Sequence, residues 1–157
     1  MEYPVIIAMF QGEYPKSIFE VGCANGGLLK DVGTDIIVGG MDKHAGDLLR
    51  SKKLFPRDAD NFFVGDLNDI PWKIKDKQYD VAFSVGTLLY LENPREVLKE
   101  MRRIAHKVFI AEPEQGLIET DHHGTRHYHD YMQILRPLGG KVKYIGLVAS
   151  KSIFKWT

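Results

Sequence analysis

Short apolar runs recur along the chain and alternate with segments whose apolar positions fall at helical offsets. The runs Ser17–Val21, Asp35–Met41, Asn61–Val64, Tyr79–Ser84 and Lys107–Ala111 read as strands. Between them, Gly26–Val32 behind a capping Asn25, and His44–Lys53 with Leu48, Leu49 and Lys52 at helical offsets, predict helices. The strongest helical pattern is Asn93–His106. Asn93 is its candidate N-cap and Pro94 suits the first position, while Val97, Leu98, Met101 and Ile104–Ala105 repeat at helical spacing. Arg102, Arg103, His106 and Lys107 gather where the helix dipole favours cations. Further on, Tyr128–Leu135 predicts a last helix, Pro137–Gly140 a turn, and Lys141–Val148 and Ser152–Trp156 two closing strands. Ala149–Lys151 is too short for a crossover helix, so this pair is expected to be antiparallel. The alternation as a whole argues for an α/β fold, a mostly parallel sheet with helices on both faces.

Composition narrows the setting. A chain of 157 residues, 44% hydrophobic, suits one domain spanning 1–157 with one core. Lys plus Arg and Asp plus Glu both number 21, so the net charge is zero and no global pull toward nucleic acid or membrane is expected. The single cysteine, Cys23, excludes an internal disulfide framework and fits a reducing, cytoplasmic setting. The apolar patch Val5–Phe10 lacks a basic flank and is far shorter than the ~20 residues that cross a bilayer, which gives the expectation of a soluble, unprocessed protein.

The first strand breaks into a glycine-rich loop, SIFEVGCANGG, which admits two ligands. Gly22, Ala24 and Gly27 fit the spacing of dinucleotide-binding loops, with Asp42 about 20 residues on for the ribose hydroxyls. Alternatively Glu20 belongs to the motif, as E-x-G-x-A-x-G through Glu20, Gly22, Ala24 and Gly26. Charge separates the two. A carboxylate there would repel a pyrophosphate but attract the sulfonium and ammonium of S-adenosylmethionine. Asp42 ends the second strand with two oxygens for ribose hydroxyls, and Asp66 ends the third, where it could accept from an adenine amino group beside the backbone of Leu67. Ser84–Gly86 ends the fourth, beside the methyl group.

SIFEVGCANG, GGMDKH, VGDLNDIPW, YDVAFSVGTLLYLENPREVLKEMRRI and VFIAEPE resemble the successive motifs of class I S-adenosylmethionine-dependent methyltransferases over about residues 17 to 157. The resemblance implies a Rossmann-like seven-stranded sheet of order 3-2-1-4-5-7-6 with the seventh strand antiparallel. It also implies cofactor contacts from Glu20, Gly22, Cys23, Ala24, Gly26, Asp42, Asp66, Leu67 and Ser84, in a cofactor-binding half at 17–112, with a short extension at 1–16 and a substrate-side half at 113–157. The chain departs from the family at two points. Ala24 stands where glycine is usual, and the N-terminal helices that often roof the substrate site are largely missing, which leaves the site open or closed by a partner subunit such as a second copy.

Cys23 reads as a small packing residue, because nothing marks a positive group that would lower its pKa. Trp72, Trp156, Phe62 and Phe63 read as core. After the fourth strand, Ser84–Thr87 replaces the Asn/Asp-Pro-Pro-Tyr of enzymes that methylate exocyclic or glutamine nitrogens, so the acceptor is expected to be a small molecule rather than nucleic acid. Four of the six histidines fall in the segment Thr120–Tyr131. There His127, beside Arg126 at the start of the last helix, is the candidate general base. Asp121, His122, His123, His127 and His129 would be the ligands of an alternative metal site, but no standard zinc spacing appears and no metal is assigned. The third reading of the segment is a solvated helix start. The sequence thus points to methyl transfer from S-adenosylmethionine to a small molecule. Its alternatives are a catalytically silent cofactor-binding subunit and a dinucleotide-binding protein of the NAD type, the latter opposed by Glu20.

Overall fold

A computed structural model of the chain describes residues 12–114, 120–148 and 151–157. The apolar patch Val5–Phe10, the expectation about N-terminal helices and the turn at 149–150 lie outside them. Seven strands form one sheet: β1 (Ser17–Val21), β2 (Ile37–Asp42), β3 (Phe62–Val64), β4 (Tyr79–Val85), β5 (Ala105–Glu112), β8 (Val142–Val148) and β9 (Lys151–Trp156). Their order is β3-β2-β1-β4-β5-β9-β8. The pairs from β3 through β5 are parallel, whereas β9 runs antiparallel to both β5 and β8. This is the expected order and the expected antiparallel last strand. Strands β6 (Thr120–Asp121) and β7 (Gly124–Thr125) form a separate hairpin that the sequence pattern did not predict.

The period of two along each strand divides the core between the faces of the sheet. Phe19, Ala82, Val108, Ile110 and Phe154 join one cluster, which takes Val97, Leu98, Met101 and Ile104 from helix α2 (Arg95–Ile104) and Tyr131 and Leu135 from α3 (Tyr131–Leu135). Ile18, Val81, Phe83, Phe109 and Ile153 join the other, with Leu48 from α1 (Ala45–Leu54) and Leu29 from a 3-10 turn. Trp72, Trp156 and Phe62 are buried. Helix α2 begins one residue later than expected, with Pro94 at the N-cap position, and the Asn93 Oδ1 accepts from the Arg95 N–H at 3.1 Å just ahead of it.

The segment expected as the helix Gly26–Val32 is one 3-10 turn, Leu29–Asp31. Gly26 and Gly33 both take positive φ, which ends a right-handed helix on either side, and the Asn25 Oδ1 caps only the Gly27 N–H at 3.1 Å. The last helix is also shorter than expected. It starts at Tyr131 because Asp130 supplies the N-cap, its side chain accepting from Gln133. No helix among the described residues is long and apolar enough to cross a membrane.

Candidate functional site

Strand order reverses around β1, whose neighbours are β2 and β4, and a crevice opens at the carboxyl ends of strands at such a point. The register brings Val21 level with Met41 and Ser84, and Asp42 level with Val64. A cleft of about 750 Å³ lies on this edge, within the range of small-molecule sites. Glu20, Gly22, Cys23, Ala24, Asp42, Asp66 and Leu67 line it, so seven of the nine expected cofactor positions meet there.

Glu20 is 2% exposed. Gly22 has φ +76°, and a side chain on it would overlap Thr87 from the loop after β4, so this glycine is required by the packing of two loops. Ala24 takes φ +44°, a conformation uncommon outside glycine. Its N–H donates to Asp42 Oδ2 at 2.9 Å, while Asp42 Oδ1 accepts from the His44 N–H at 2.9 Å and faces His44 Nδ1 at 3.0 Å. Asp42 therefore ties together the loops after β1 and β2. Asp66 Oδ1 accepts from the Asn68 backbone at 2.8 Å and Asn68 Nδ2 at 3.1 Å, and the Leu67 carbonyl accepts from Trp72 Nε1 at 3.2 Å. Burial pushes the Cys23 thiol up, so it stays protonated as a packing group against Gly40.

Two cofactor positions fall elsewhere. Ser84 is fully buried, its hydroxyl donating to Glu112 Oε1 at 2.9 Å, because the period of two turns it away from the cleft into the sheet's carboxyl end. Gly26 faces Phe55 and Ser51 of the α1 side, where a Cβ would come within 2.9 Å of the Phe55 ring. Gly26 thus lets helix α1 approach the loop.

The catalytic candidate also differs from expectation. His127 is not among the residues lining the cleft; its N–H donates to the Leu89 carbonyl and its ring stacks beside His129 at 6.4 Å. Two histidines line the cleft: His44, after β2, and His123, at the tip of the β6–β7 hairpin. Asp121 makes this tip, its Oδ1 accepting from the His123 N–H at 2.8 Å and the Gly124 N–H at 3.3 Å, with Gly124 at φ +138°. The same backbone bond, with Arg126 and Tyr90, holds the Asp121 carboxyl well below the usual range.

The hairpin bridges the mouth of the cleft. On one side Lys43 Nζ donates to the His123 carbonyl at 3.0 Å; on the other the Tyr90 hydroxyl donates to Asp121 Oδ2 at 3.0 Å, and Arg126 pairs with the same oxygen at 2.6 Å. The His123 ring lies 5.8 Å from Tyr90 and 6.1 Å from His44. Among the described residues no three metal-ligating side chains converge. The sequence reading gave no role to Thr87 or Tyr90, although both follow β4 in the stretch SVGTLLY. Their signal was a glycine directly after a buried strand, where a side chain can turn across the edge.

A family model described as a methyltransferase domain matches residues 19–108, more than half of the chain. A comparison with curated proteins finds no match. Among solved structures, the chain is similar to an S-adenosylmethionine-dependent methyltransferase from Aquifex aeolicus, at 19% identity and TM-score 0.65 over 90% of this chain and 80% of that one. It is similar to a putative methyltransferase of the same dependence from Methanococcus maripaludis, at 16% identity and TM-score 0.72 over 99% and 82%. The [4+2]-cyclase SpnF shares the fold at 15% identity and TM-score 0.69 over 91% and 59%. The glycine-turned cleft at the switch point and the family match lead to one conclusion: the chain belongs to the methyltransferase domain family.

Proposed function

We propose that the methyl acceptor is a small molecule, bound between the turn after β4 and the β6–β7 hairpin. The observation that carries this reading is the hairpin itself. Tied to Lys43 on one side and Tyr90 on the other, it narrows the mouth of a cleft that must also admit the cofactor. A macromolecular acceptor would have to displace it. On this reading 17–112 holds the cofactor and 113–157 supplies the substrate side.

The residues present fit S-adenosylmethionine. Glu20 brings a carboxylate to the floor for its cationic groups. Asp42 offers Oδ2 to one ribose hydroxyl, and Oδ1 to the other once the His44 ring turns aside. Asp66 Oδ2 and the Leu67 N–H, which make no hydrogen bond among the described residues, suit the amino group and ring edge of adenine. The bound cofactor supplies an electrophilic methyl group on sulfur. The chain holds the acceptor in line with it, excludes water beneath the hairpin, and leaves most of the acceleration to proximity and orientation. Where the acceptor carries a proton, His123 on the hairpin is the imidazole that can take it, since the other cleft imidazole, His44, faces Asp42 on the ribose side.

Incubation with methyl-labelled cofactor and a metabolite panel tests the reading. The expected result is label in a small molecule, and a His123→Ala variant that turns over at least tenfold more slowly with its affinity for S-adenosylhomocysteine kept. Label appearing only in added protein or nucleic acid would overturn it. No transfer to any acceptor, with the cofactor bound, would favour the silent subunit, a reading that Ala24 at the glycine position supports.

A further inference from the structure

Glu112 ends β5 level with Ser152 of β9, fully buried and outside the cleft lining. Its Oε1 accepts from the Ser84 hydroxyl at 2.9 Å, the Thr87 N–H at 3.0 Å and the Leu88 N–H at 3.1 Å. The Gly86 N–H donates to the neighbouring Ala111 carbonyl at 2.9 Å. Three successive amides of the turn after β4 are thus held by the last two residues of β5. Gly86 at φ +64° followed by Thr87 at φ −115°, ψ −42° aims the Thr87 and Leu88 N–H groups into one concavity. Such a concavity binds anions, and here an internal carboxyl oxygen fills it. The turn so held carries Thr87, which packs on Gly22, and Tyr90, which anchors the hairpin.

We propose that Glu112 is a positioning residue of the methyl-transfer site: it fixes the turn Gly86–Leu88, and through that turn keeps Thr87 against Gly22 and Tyr90 beneath the hairpin. This rests on the assignment of the cleft to the cofactor. A hydrophobic residue at 112 would fill the space but leave two buried amides without an acceptor. The groups around the carboxyl are Ser84 on β4, the amides of the turn, Glu114 beyond the strand end, Tyr131 on α3, and Ser152 with adjacent Lys151 on β9. Burial raises the Glu112 carboxyl to about 7, with the Leu88 and Thr87 amides and Ser84 opposing. The Tyr131 hydroxyl is raised by its own burial and further by Glu112 and Glu114. The amides are held more strongly by the ionised carboxyl, because charge-assisted hydrogen bonds are roughly twice as strong as neutral ones.

The test uses the full chain, S-adenosylhomocysteine as the probe, and Glu112→Gln, which keeps an oxygen for the amides but cannot ionise. The two proteins differ at this one side chain, so the difference between their pH profiles isolates Glu112. The expected result is that wild type gains at least threefold in affinity from pH 6 to pH 8 relative to Glu112→Gln. In the ligand-free protein, the Thr87 and Leu88 amide resonances should move together with a midpoint near 7, and stay fixed in the variant. Glu112→Leu should lose about tenfold in affinity at every pH. Profiles and amide titrations that superimpose for wild type and Glu112→Gln would overturn the proposal, whether or not the leucine variant folds. If wild type fails to bind the probe, the cofactor assignment falls, and the amide titration still decides whether Glu112 holds the turn.

Discussion

Ala24 holds a left-handed backbone, φ +44°, that costs an L-residue about 1–2 kcal/mol and glycine almost nothing. Ala24→Gly is therefore expected to stabilise the fold by about 1 kcal/mol after the greater chain entropy of glycine is counted, raising Tm by about 2–4 °C. Thermal melting checks this, and an unchanged or lower Tm would show that the loop is not strained. Asp42 is expected to matter twice, since its carboxylate joins Ala24 to His44 before any ligand arrives. Asp42→Asn places an amide donor against one of those N–H groups, so affinity for S-adenosylhomocysteine should fall at least tenfold in titration calorimetry, with a modest loss of Tm. Glu20, Gly22, Asp42 and Asp66 were legible in the sequence because strand ends and a glycine loop fix where they lie. Ser84 and Gly26 were misplaced because one position along a strand or turn exchanges the cleft for the interior.

At the scale of elements the β6–β7 hairpin is the part that the sequence hid. Its strands are two residues each, too short for any alternation to show, and its cause is one side chain, Asp121, folding the His123 and Gly124 amides onto itself. Asp-His-His-Gly was the available signal, and a cluster of histidines read as chemistry obscured a turn. Removing one anchor should loosen the hairpin without unfolding the chain. Tyr90→Phe deletes the hydroxyl that donates to Asp121, so S-adenosylhomocysteine should dissociate about three- to tenfold faster in stopped-flow measurements, with Tm within a few degrees of wild type. An unchanged dissociation rate would mean that the hairpin does not restrain the ligand. The long elements show the opposite case. Helix α2 lies within its expected span because Val97, Leu98, Met101 and Ile104 form one buried stripe. The predicted helix at Gly26–Val32 failed because glycines with positive φ interrupt it.

For the whole molecule, the mostly parallel sheet follows from alternation and the antiparallel closing pair from a connection too short for a crossover, whereas the strand order was legible only through the resemblance to the methyltransferase family. The buried Glu112 was not readable, since Glu-Pro after a strand looks like a solvated turn. It adds its own pH dependence to the stability of the fold. Its folded value near 7 lies above the ordinary 4.5, so between these values the folded chain holds a proton that the unfolded chain has released. Its contribution is complete below about pH 4.5 and is lost as pH rises through 7. Relative to Glu112→Gln, wild type should therefore lose about 2–3 kcal/mol between pH 5 and pH 8, read as a difference in Tm of several degrees, and a constant difference would contradict the assignment. The central claim is narrower than any of these: the acidic cleft at the switch point was built for a sulfonium nucleoside rather than a dinucleotide. Titration calorimetry of the purified chain against S-adenosylmethionine, S-adenosylhomocysteine and NAD tests it most directly. Saturable binding of the first two at one site per chain, lost on Glu20→Lys and absent for NAD, is the expected result; saturable binding of NAD, with neither of the others held, would contradict it.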